Sequence, residues 1–165
     1  MSKTGLSMSQ LQDYHEILAV KHAFLRAADE LDSDAMVAGF TEDCVCYYGP
    51  GLELRGRTAL RDWYGDSEQK VTAVSNHQIH NFELIFLSDD EASSRCILQS
   101  WRRYRDYPER PDRTRHARYF DTWKRTNQGW LQSGTYYSVQ GELNGDEPER
   151  QLEPEPTWPP VPSQR

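Results

Sequence analysis

Two side chains that lie far apart in the sequence, Asp29 and His77, are of the types that together make a general base. A carboxylate that accepts a hydrogen bond from one imidazole nitrogen fixes the ring tautomer and makes the other nitrogen more basic. That second nitrogen can then remove a proton from a substrate. Asp29 and His77 are therefore the candidate catalytic residues, provided that the fold brings the two side chains into contact.

The segment that carries Asp29 has the apolar spacing of a long amphipathic helix, from Leu11 to Leu31. At about 100° per residue, Asp29 lies in line with Leu11 and about 20° from Leu18. It is also about 40° from Leu25. Asp29 is therefore predicted on the apolar face of this helix, where an acid points inward.

The segment that carries His77 opens a predicted antiparallel meander of four strands. Its alternating runs are separated by turn residues and span His77–Leu87, Ala92–Arg105, Arg115–Arg125 and Trp130–Gln140. Upstream of it, the pattern indicates a short helix, a strand and a helical piece, over Ala35–Phe40, Cys44–Tyr48 and Thr58–Tyr64. Helices followed by a curled sheet describe an α+β fold.

The orientation of His77 stays open at this point. His77 and His80 stand on opposite faces of a regular strand, because side chains alternate along it. His80 shares its face with Phe82 and Phe86, so His80 is the inward residue unless a β-bulge near the strand start shifts the register. His80 is therefore retained as a candidate substrate-binding residue.

Other chemistries have weaker support in the sequence. Opposite faces for His77 and His80 argue against a shared metal, so no metal site and no cofactor is expected. Cys44, Cys46 and Cys96 are placed in strands without a neighbouring base to activate a thiol, and three reduced thiols suit a cytoplasm. No glycine-rich loop of the phosphate-binding type is present.

Composition restricts the partners and the location. The 165 residues suit one domain, and a net charge of -7, from 26 acidic against 19 basic residues, disfavours nucleic acid as a partner. No apolar stretch reaches the length of a membrane span, and the first ten residues lack the core of a signal peptide. A cytoplasmic protein without membrane contact is therefore expected.

Domain limits follow from changes in composition along the chain. The folded domain is predicted over 11–144, after a flexible start over 1–10. Residues 145–165 form an acidic, proline-rich tail that cannot build a core. Either this tail is flexible or extended, or Trp158 folds back over a pocket or a neighbouring subunit.

Further side chains are candidates for binding a substrate. Tyr47 and Tyr48 alternate along their strand, so one of them faces inward. Trp63 and Tyr136 are also candidates, although such residues more often pack in a core. A hairpin rich in arginine is usually a solvated edge and occasionally a clamp for an anionic ligand; here it contains Arg102, Arg103, Arg105, Arg110, Arg113 and Arg115.

Several segments resemble, in their order and spacing, proteins of the SnoaL-like, nuclear transport factor 2-like superfamily. They cover roughly residues 10–141 and comprise 26–32 (RAADELD), 39–44 (GFTEDC), 54–60 (LRGRTAL), 77–81 (HQIHN), 118–125 (RYFDTWKR) and 128–130 (QGW). The resemblance implies a cone-shaped barrel, made of a curved, mixed, mostly antiparallel sheet wrapped on N-terminal helices around one small-molecule pocket. It also implies self-association, as a dimer or a trimer.

The resemblance is strongest to the branch that contains scytalone dehydratase, lindane dehydrochlorinase and bile-acid dehydratase. Its members pair a helix-one aspartate with a histidine at the start of the third long strand, and Asp29 and His77 match these positions. The histidine there abstracts a proton while a hydroxide or halide leaves. Ser100 stands where some members carry an acid or a histidine, and its hydroxyl can orient a substrate. The leaving-group acid would then be Tyr48, Tyr47 or His77 itself.

The resulting prediction is a cofactor-independent lyase of the dehydratase type, acting on a small cyclic or polyketide-like substrate, with Arg102 among the binding residues. Two alternatives stay open. In a polyketide cyclase or isomerase, the same base would make an enolate that attacks a carbonyl or is reprotonated elsewhere. In a non-catalytic binding or assembly protein, Asp29 and His77 would only be satisfied polar neighbours in the same fold.

Overall fold

The structure, a computed structural model, describes residues 5–66, 71–105, 109–145, 147–149 and 155–158. The helices in these ranges are α1 (Met8–Glu30), α2 (Ser33–Val37) and α3 (Arg57–Asp66). The strands are β1 (Phe40–Tyr47), β2 (Glu53–Arg55), β3 (Thr72–Phe86), β4 (Glu91–Tyr104), β5 (Arg113–Thr126), β6 (Gly129–Asn144) and β7 (Glu147–Glu149). The predicted order of helices first and long strands afterwards is therefore confirmed.

All of these strands belong to one mixed sheet, in the order β2-β1-β6-β5-β4-β3, with β7 paired to the end of β6. The strands β3 to β6 form the predicted antiparallel meander, whereas β1 runs parallel to β6. In the described part of the chain, β2 and β3 are the two edges, so the sheet does not close on itself. The α+β architecture is thus confirmed as helices packed on an open sheet.

Helix α1 begins earlier than its apolar spacing predicts because Ser7 caps it. The Ser7 hydroxyl accepts a hydrogen bond from the Gln10 backbone N–H at 3.2 Å, and the Gln10 side chain accepts one from the Ser7 N–H at 3.0 Å. This reciprocal pair is a capping box. Residues 1–4, which were also predicted to be flexible, lie outside the described residues. None of the helices that the structure describes combines the length and the apolar character needed to cross a bilayer.

A buried ion pair lies at the centre of the packing between α1 and the sheet. Lys21 Nζ is 2.8 Å from Asp121 Oδ2, and both side chains have 0% exposure. The ammonium group also lies 3.6 Å from the centre of the Tyr119 ring. Asp121 Oδ1 accepts further hydrogen bonds from Gln132 at 2.9 Å and from Thr135 at 2.6 Å. The charges are thus neutralised and the aspartate is held in place by β6.

The C-terminal segment 155–158 lies on the outer face of the sheet, opposite α1. The Trp158 indole N–H donates to Ser93 Oγ at 3.2 Å, and the Arg95 guanidinium lies 4.5 Å from the centre of the indole ring. Glu155 pairs with Arg118 at 2.7 Å. Trp158 therefore folds back onto the domain, but on the face opposite the cavity described below. The other tail residues without strand structure, 146, 150–154 and 159–165, lie outside the described ranges.

Candidate active site

Asp29 and His77 are in direct contact. Asp29 Oδ1 lies 2.7 Å from His77 Nδ1, and Asp29 Oδ2 accepts a hydrogen bond from the His77 backbone N–H at 3.2 Å. Asp29 stands in the last turn of α1, and His77 stands on β3, the edge strand against which α1 packs. The side chains are only 27% and 11% exposed, so the contact is partly shielded from water.

This contact determines what the imidazole can do. An ionised carboxylate only accepts hydrogen bonds, so its position beside Nδ1 favours the tautomer of His77 with the proton on Nδ1. The lone pair is then on Nε2, the nitrogen that is free to receive a proton. Because Asp29 also holds the backbone N–H of His77, the carboxylate and the ring are fixed to the same point of β3.

A β-bulge decides which of the two histidines faces inward. Asn81 has a φ of 51°, and the pairing of β3 with β4 shifts between His80 and Glu83. An extra residue in a strand reverses the side chains that face the core beyond it. His77 therefore faces inward before the bulge and Phe82 faces inward after it, whereas His80 is exposed. His80 is not among the described residues that line the inner cavity described next, but with Asp29 and His77 it lines a separate surface depression beside the end of α1.

His77 lines a cavity of about 250 Å³ between the helices and the inner face of the sheet. Most of its surface is aromatic or aliphatic, from Phe24, Ala28, Met36, Tyr48, Trp63, Tyr64, Leu98, Tyr119 and Tyr137. Its polar wall consists of His77, Ser100, Arg102, Arg113 and Arg115. A hollow of this kind, mainly apolar with a few convergent polar groups, is typical of a site for a small organic molecule.

The cavity brings together four of the predicted binding residues, Tyr48, Trp63, Ser100 and Arg102. Tyr136 is not among the described residues that line it. Its ring lies on the outer face of the sheet, stacked on Tyr47 with the ring centres 4.3 Å apart. Because side chains alternate along β6, Tyr137 takes the inward position instead. Tyr137, and not the predicted Tyr136, is therefore the tyrosine of β6 that lines the cavity.

Two phenols of the cavity form a donor pair. The hydroxyl groups of Tyr48 and Tyr64 are hydrogen-bonded to each other, and the indole of Trp63 lies 4.7 Å from the Tyr48 ring. Burial raises the pKa of both phenols well above the ordinary value of 10.0, so both stay protonated. Since one hydroxyl must donate to the other, the second proton of the pair remains available to a molecule in the cavity.

The polar wall follows from the register of three neighbouring strands. His77 on β3 pairs with Ser100 on β4, and Ser100 pairs with Arg115 on β5. Two residues further along the strands, Arg102 pairs with Arg113. Directly paired residues on one face of a sheet have Cβ atoms about 4.5–5.5 Å apart. The register thus lines up the imidazole, a hydroxyl and three guanidinium groups on one face.

Arg113 and Arg115 were recognised in the sequence only as members of the arginine-rich hairpin. Arg115 Nε donates to Glu142 Oε2 at 2.5 Å, and Arg113 Nε lies 3.9 Å from Glu142 Oε1. Burial opposes the charge of Arg115, but Tyr137 and Glu142 outweigh it and raise the pKa of the guanidinium. The pairing of β4 with β5 is the signal that would have assigned both arginines to the pocket.

The cysteines and possible metal ligands show no comparable arrangement. Cys44, Cys46 and Cys96 are buried and free. The hydrogen bond with Cys44 and then burial raise the pKa of Cys46, and burial raises the pKa of Cys96 to about 12. These two thiols therefore stay protonated and are poor nucleophiles. Across the described ranges, no three His, Cys, Asp or Glu side chains are grouped to hold a metal ion.

The sequence matches the family model of the SnoaL-like domain over residues 9–134. A solved structure of a proposed scytalone dehydratase from Novosphingobium aromaticivorans is 21% identical, with a TM-score of 0.77 over 89% of this chain and 97% of its own. A proposed aromatic ring hydroxylase from the same organism is 25% identical, with a TM-score of 0.68 over 78% of this chain and 90% of its own. A solved structure of a hexachlorocyclohexane dehydrochlorinase, LinA type 2, is 14% identical, with a TM-score of 0.69, and the match covers 91% of this chain and 99% of that chain. No match to the sequence is found among curated proteins.

Proposed function

The chain belongs to the SnoaL-like domain family, as its sequence segments indicate, and on that basis we propose that it is a cofactor-independent lyase with His77 as general base. One observation carries this proposal. The imidazole of His77 lines the cavity while its Nδ1 lies 2.7 Å from the carboxylate of Asp29. Two of the similar structures bear the names of eliminating enzymes, a dehydratase and a dehydrochlorinase, which supports the same reaction class.

In the proposed reaction, Nε2 of His77 removes a proton from a carbon next to a carbonyl or a similar activating group. The electron pair of that C–H bond forms a carbon–carbon double bond, and the hydroxyl group on the neighbouring carbon leaves. Asp29 keeps its negative charge and stabilises the imidazolium that forms. The products are an unsaturated molecule and, after protonation of the leaving hydroxide, water.

The leaving hydroxyl group needs a proton donor, and we propose the hydroxyl pair of Tyr48 and Tyr64. Their phenols are neutral because burial raises their pKa, and one proton of the pair is not used within it. Ser100 lies beside His77 in the sheet register and can orient the leaving group. A proton lost by either phenol is returned from the imidazolium of His77 at the end of the cycle, so the enzyme regains its starting state.

The test is a screen of small cyclic β-hydroxy ketones, followed by mass spectrometry for loss of one water molecule. With a substrate in hand, Asp29→Asn and His77→Gln are each expected to lower kcat/KM by about 10²- to 10⁴-fold. Glu30→Gln and His116→Gln are matched controls, because both residues are exposed and neither lines the cavity. Both controls are expected to retain wild-type turnover.

Three outcomes would contradict the lyase proposal. Turnover without change of mass would indicate an isomerase or a cyclase that uses the same base. Full activity of His77→Gln would exclude His77 as the base. Finally, an imidazole ¹⁵N NMR spectrum of the wild type should show His77 protonated on Nδ1 and not on Nε2, and the opposite tautomer would remove the basis of the mechanism.

A further inference from the structure

The arginines of the cavity carry a conclusion about the substrate, and this conclusion rests on the function proposed above. We propose that the substrate is a small cyclic carboxylic acid whose carboxylate is bound by Arg102 and Arg113. Both guanidinium groups line the cavity, and the two residues are direct partners across β4 and β5. The planar guanidinium fork matches a carboxylate with two parallel hydrogen bonds.

The charge of the cavity supports an anionic ligand. The described residues that line it include three guanidinium groups, those of Arg102, Arg113 and Arg115, and no carboxylate. Glu142, outside the lining, holds Arg115 at 2.5 Å and lies 3.9 Å from Arg113. A guanidinium has five N–H donors, so an arginine that already has one acceptor keeps donors for another. The carboxylate of a ligand would therefore meet positive charge on this wall.

The sheet register also fixes the distance between this wall and the base. Arg102 is one strand and two residues away from His77, which places the two Cα atoms about 8 Å apart. Arg113 is one strand further, about 12 Å from His77. One six-membered ring with a carboxylate can span this gap while its opposite side reaches the imidazole. The carboxylate would then lie away from the carbon that loses the proton.

The volume and the remaining lining limit the rest of the molecule. A cavity of about 250 Å³ holds one or two rings, and aromatic side chains such as Trp63 and Tyr119 surround it. Apolar walls favour the ring, whereas the arginine pair favours its charged substituent. The arginine pair thus selects acids over their uncharged analogues.

Binding measurements on the whole chain test this inference without any turnover. Isothermal titration calorimetry would compare benzoate with benzamide, which has the same shape and no charge. We expect wild-type protein to prefer benzoate, and Arg102→Gln to weaken benzoate binding about 10- to 100-fold with little effect on benzamide. The benzoate affinity of Arg102→Lys should lie between those of the wild type and Arg102→Gln, since lysine keeps the positive charge and lacks the planar guanidinium fork. Phenylphosphonate in parallel would show whether a phosphonate replaces the carboxylate.

The controls separate this inference from the proposed reaction. Arg105→Gln removes the same charge from an exposed position near Arg102 and should leave benzoate binding unchanged. His77→Gln should also keep the preference for benzoate, even though it stops catalysis. If Arg113→Gln does not fold, because that residue is buried, Arg102→Gln alone decides.

Equal affinity for benzoate and benzamide would overturn the proposal, as would a preference for benzoate that survives in Arg102→Gln. Tighter binding of phenylphosphonate than of benzoate would show that the arginine pair binds a phosphonate or phosphate and not a carboxylate. The absence of binding of both acids at millimolar concentration would also overturn the proposal. Turnover of neutral substrates alone would agree with the proposed lyase reaction and would refute the proposed specificity for carboxylic acids.

Discussion

Replacing Asp121 by asparagine should cost more stability than almost any other change of similar size in this chain. The substitution keeps the shape of the side chain and removes the charge that faces Lys21 at 2.8 Å. Both groups have 0% exposure, so no water takes the place of the lost carboxylate. Lys21 would then be a buried cation without a counter-charge, which is among the most destabilising arrangements known in proteins.

The size of the effect follows from two limits. At 2.8 Å and an effective dielectric constant of about 20, the attraction between the two charges is about 6 kcal/mol. The variant can avoid part of this loss by releasing the lysine proton. For an ordinary lysine that release costs about 4.6 kcal/mol at about pH 7 and less at higher pH. We therefore expect a loss of about 3–5 kcal/mol, the range found when one partner of a buried pair is removed.

The assay is urea unfolding of the wild type, Asp121→Asn and the double variant Lys21→Met/Asp121→Asn. The double variant should recover most of the loss, because it removes both charges. Asp121→Asn should gain stability as the pH rises, since the unfolded chain then binds more protons at this site than the folded one. Glu83→Gln, which breaks the exposed pair with Arg95, is the control and should have a small effect. A loss below about 1 kcal/mol for Asp121→Asn would refute this reasoning.

Two further predictions concern stability away from the cavity. Arg125 donates two hydrogen bonds to Asp13, of 2.9 and 2.7 Å. This contact lowers the pKa of Asp13 below its ordinary value of 3.8. The stability that the contact contributes is therefore present above pH 3.8 and is lost as the pH falls through the lowered pKa. Asp13→Asn should therefore lower the unfolding midpoint at neutral pH, and this difference should shrink as the pH falls below 3.8. A difference that stays the same at acidic and neutral pH would contradict this assignment. Trp158→Ala removes the hydrogen bond from the indole to Ser93 and the contact of the ring with Arg95. This variant should therefore destabilise the fold by about 1–2 kcal/mol and speed proteolysis of the C-terminal segment. Thr157→Ala is the control, because Thr157 is the exposed neighbour of Trp158. Equal stability and equal proteolysis rates of the two variants would show that Trp158 does not stabilise the fold.

Much of the fold could be predicted because its signals are local. Alternating runs separated by turn residues predicted the strands β3 to β6, and helical spacing predicted α1. The buried face of α1 was harder to predict. Leu11, which defined the predicted apolar face, is 40% exposed, whereas Lys21 is completely buried. A lysine is expected in solvent, and only its partner Asp121, a hundred residues later, explains its position.

The polar wall of the cavity depends on features that alternation alone does not reveal. The inward position of His77 requires the bulge at Asn81, a residue type that gives a weaker signal for positive φ than glycine does. Arg113 and Arg115 enter the cavity because of their pairing with β4, and strand register is set by the packed fold as a whole. The contact between Asp29 and His77 was predicted because both residues match a known pattern, whereas the arginines match none.

The position of Asp29 is explained by how α1 lies on the sheet. Three charged residues of this helix, each eight positions after the last, contact the strands: Asp13 binds Arg125 and Trp130, Lys21 binds Asp121, and Asp29 binds His77. Eight residues advance a helix by about 12 Å and turn it by about 80°. The helix therefore crosses the sheet from β5 and β6 to the edge strand β3. Because Asp29 is turned by about 80° from the buried face at Lys21, it meets β3 beside the cavity and holds the imidazole of His77 there.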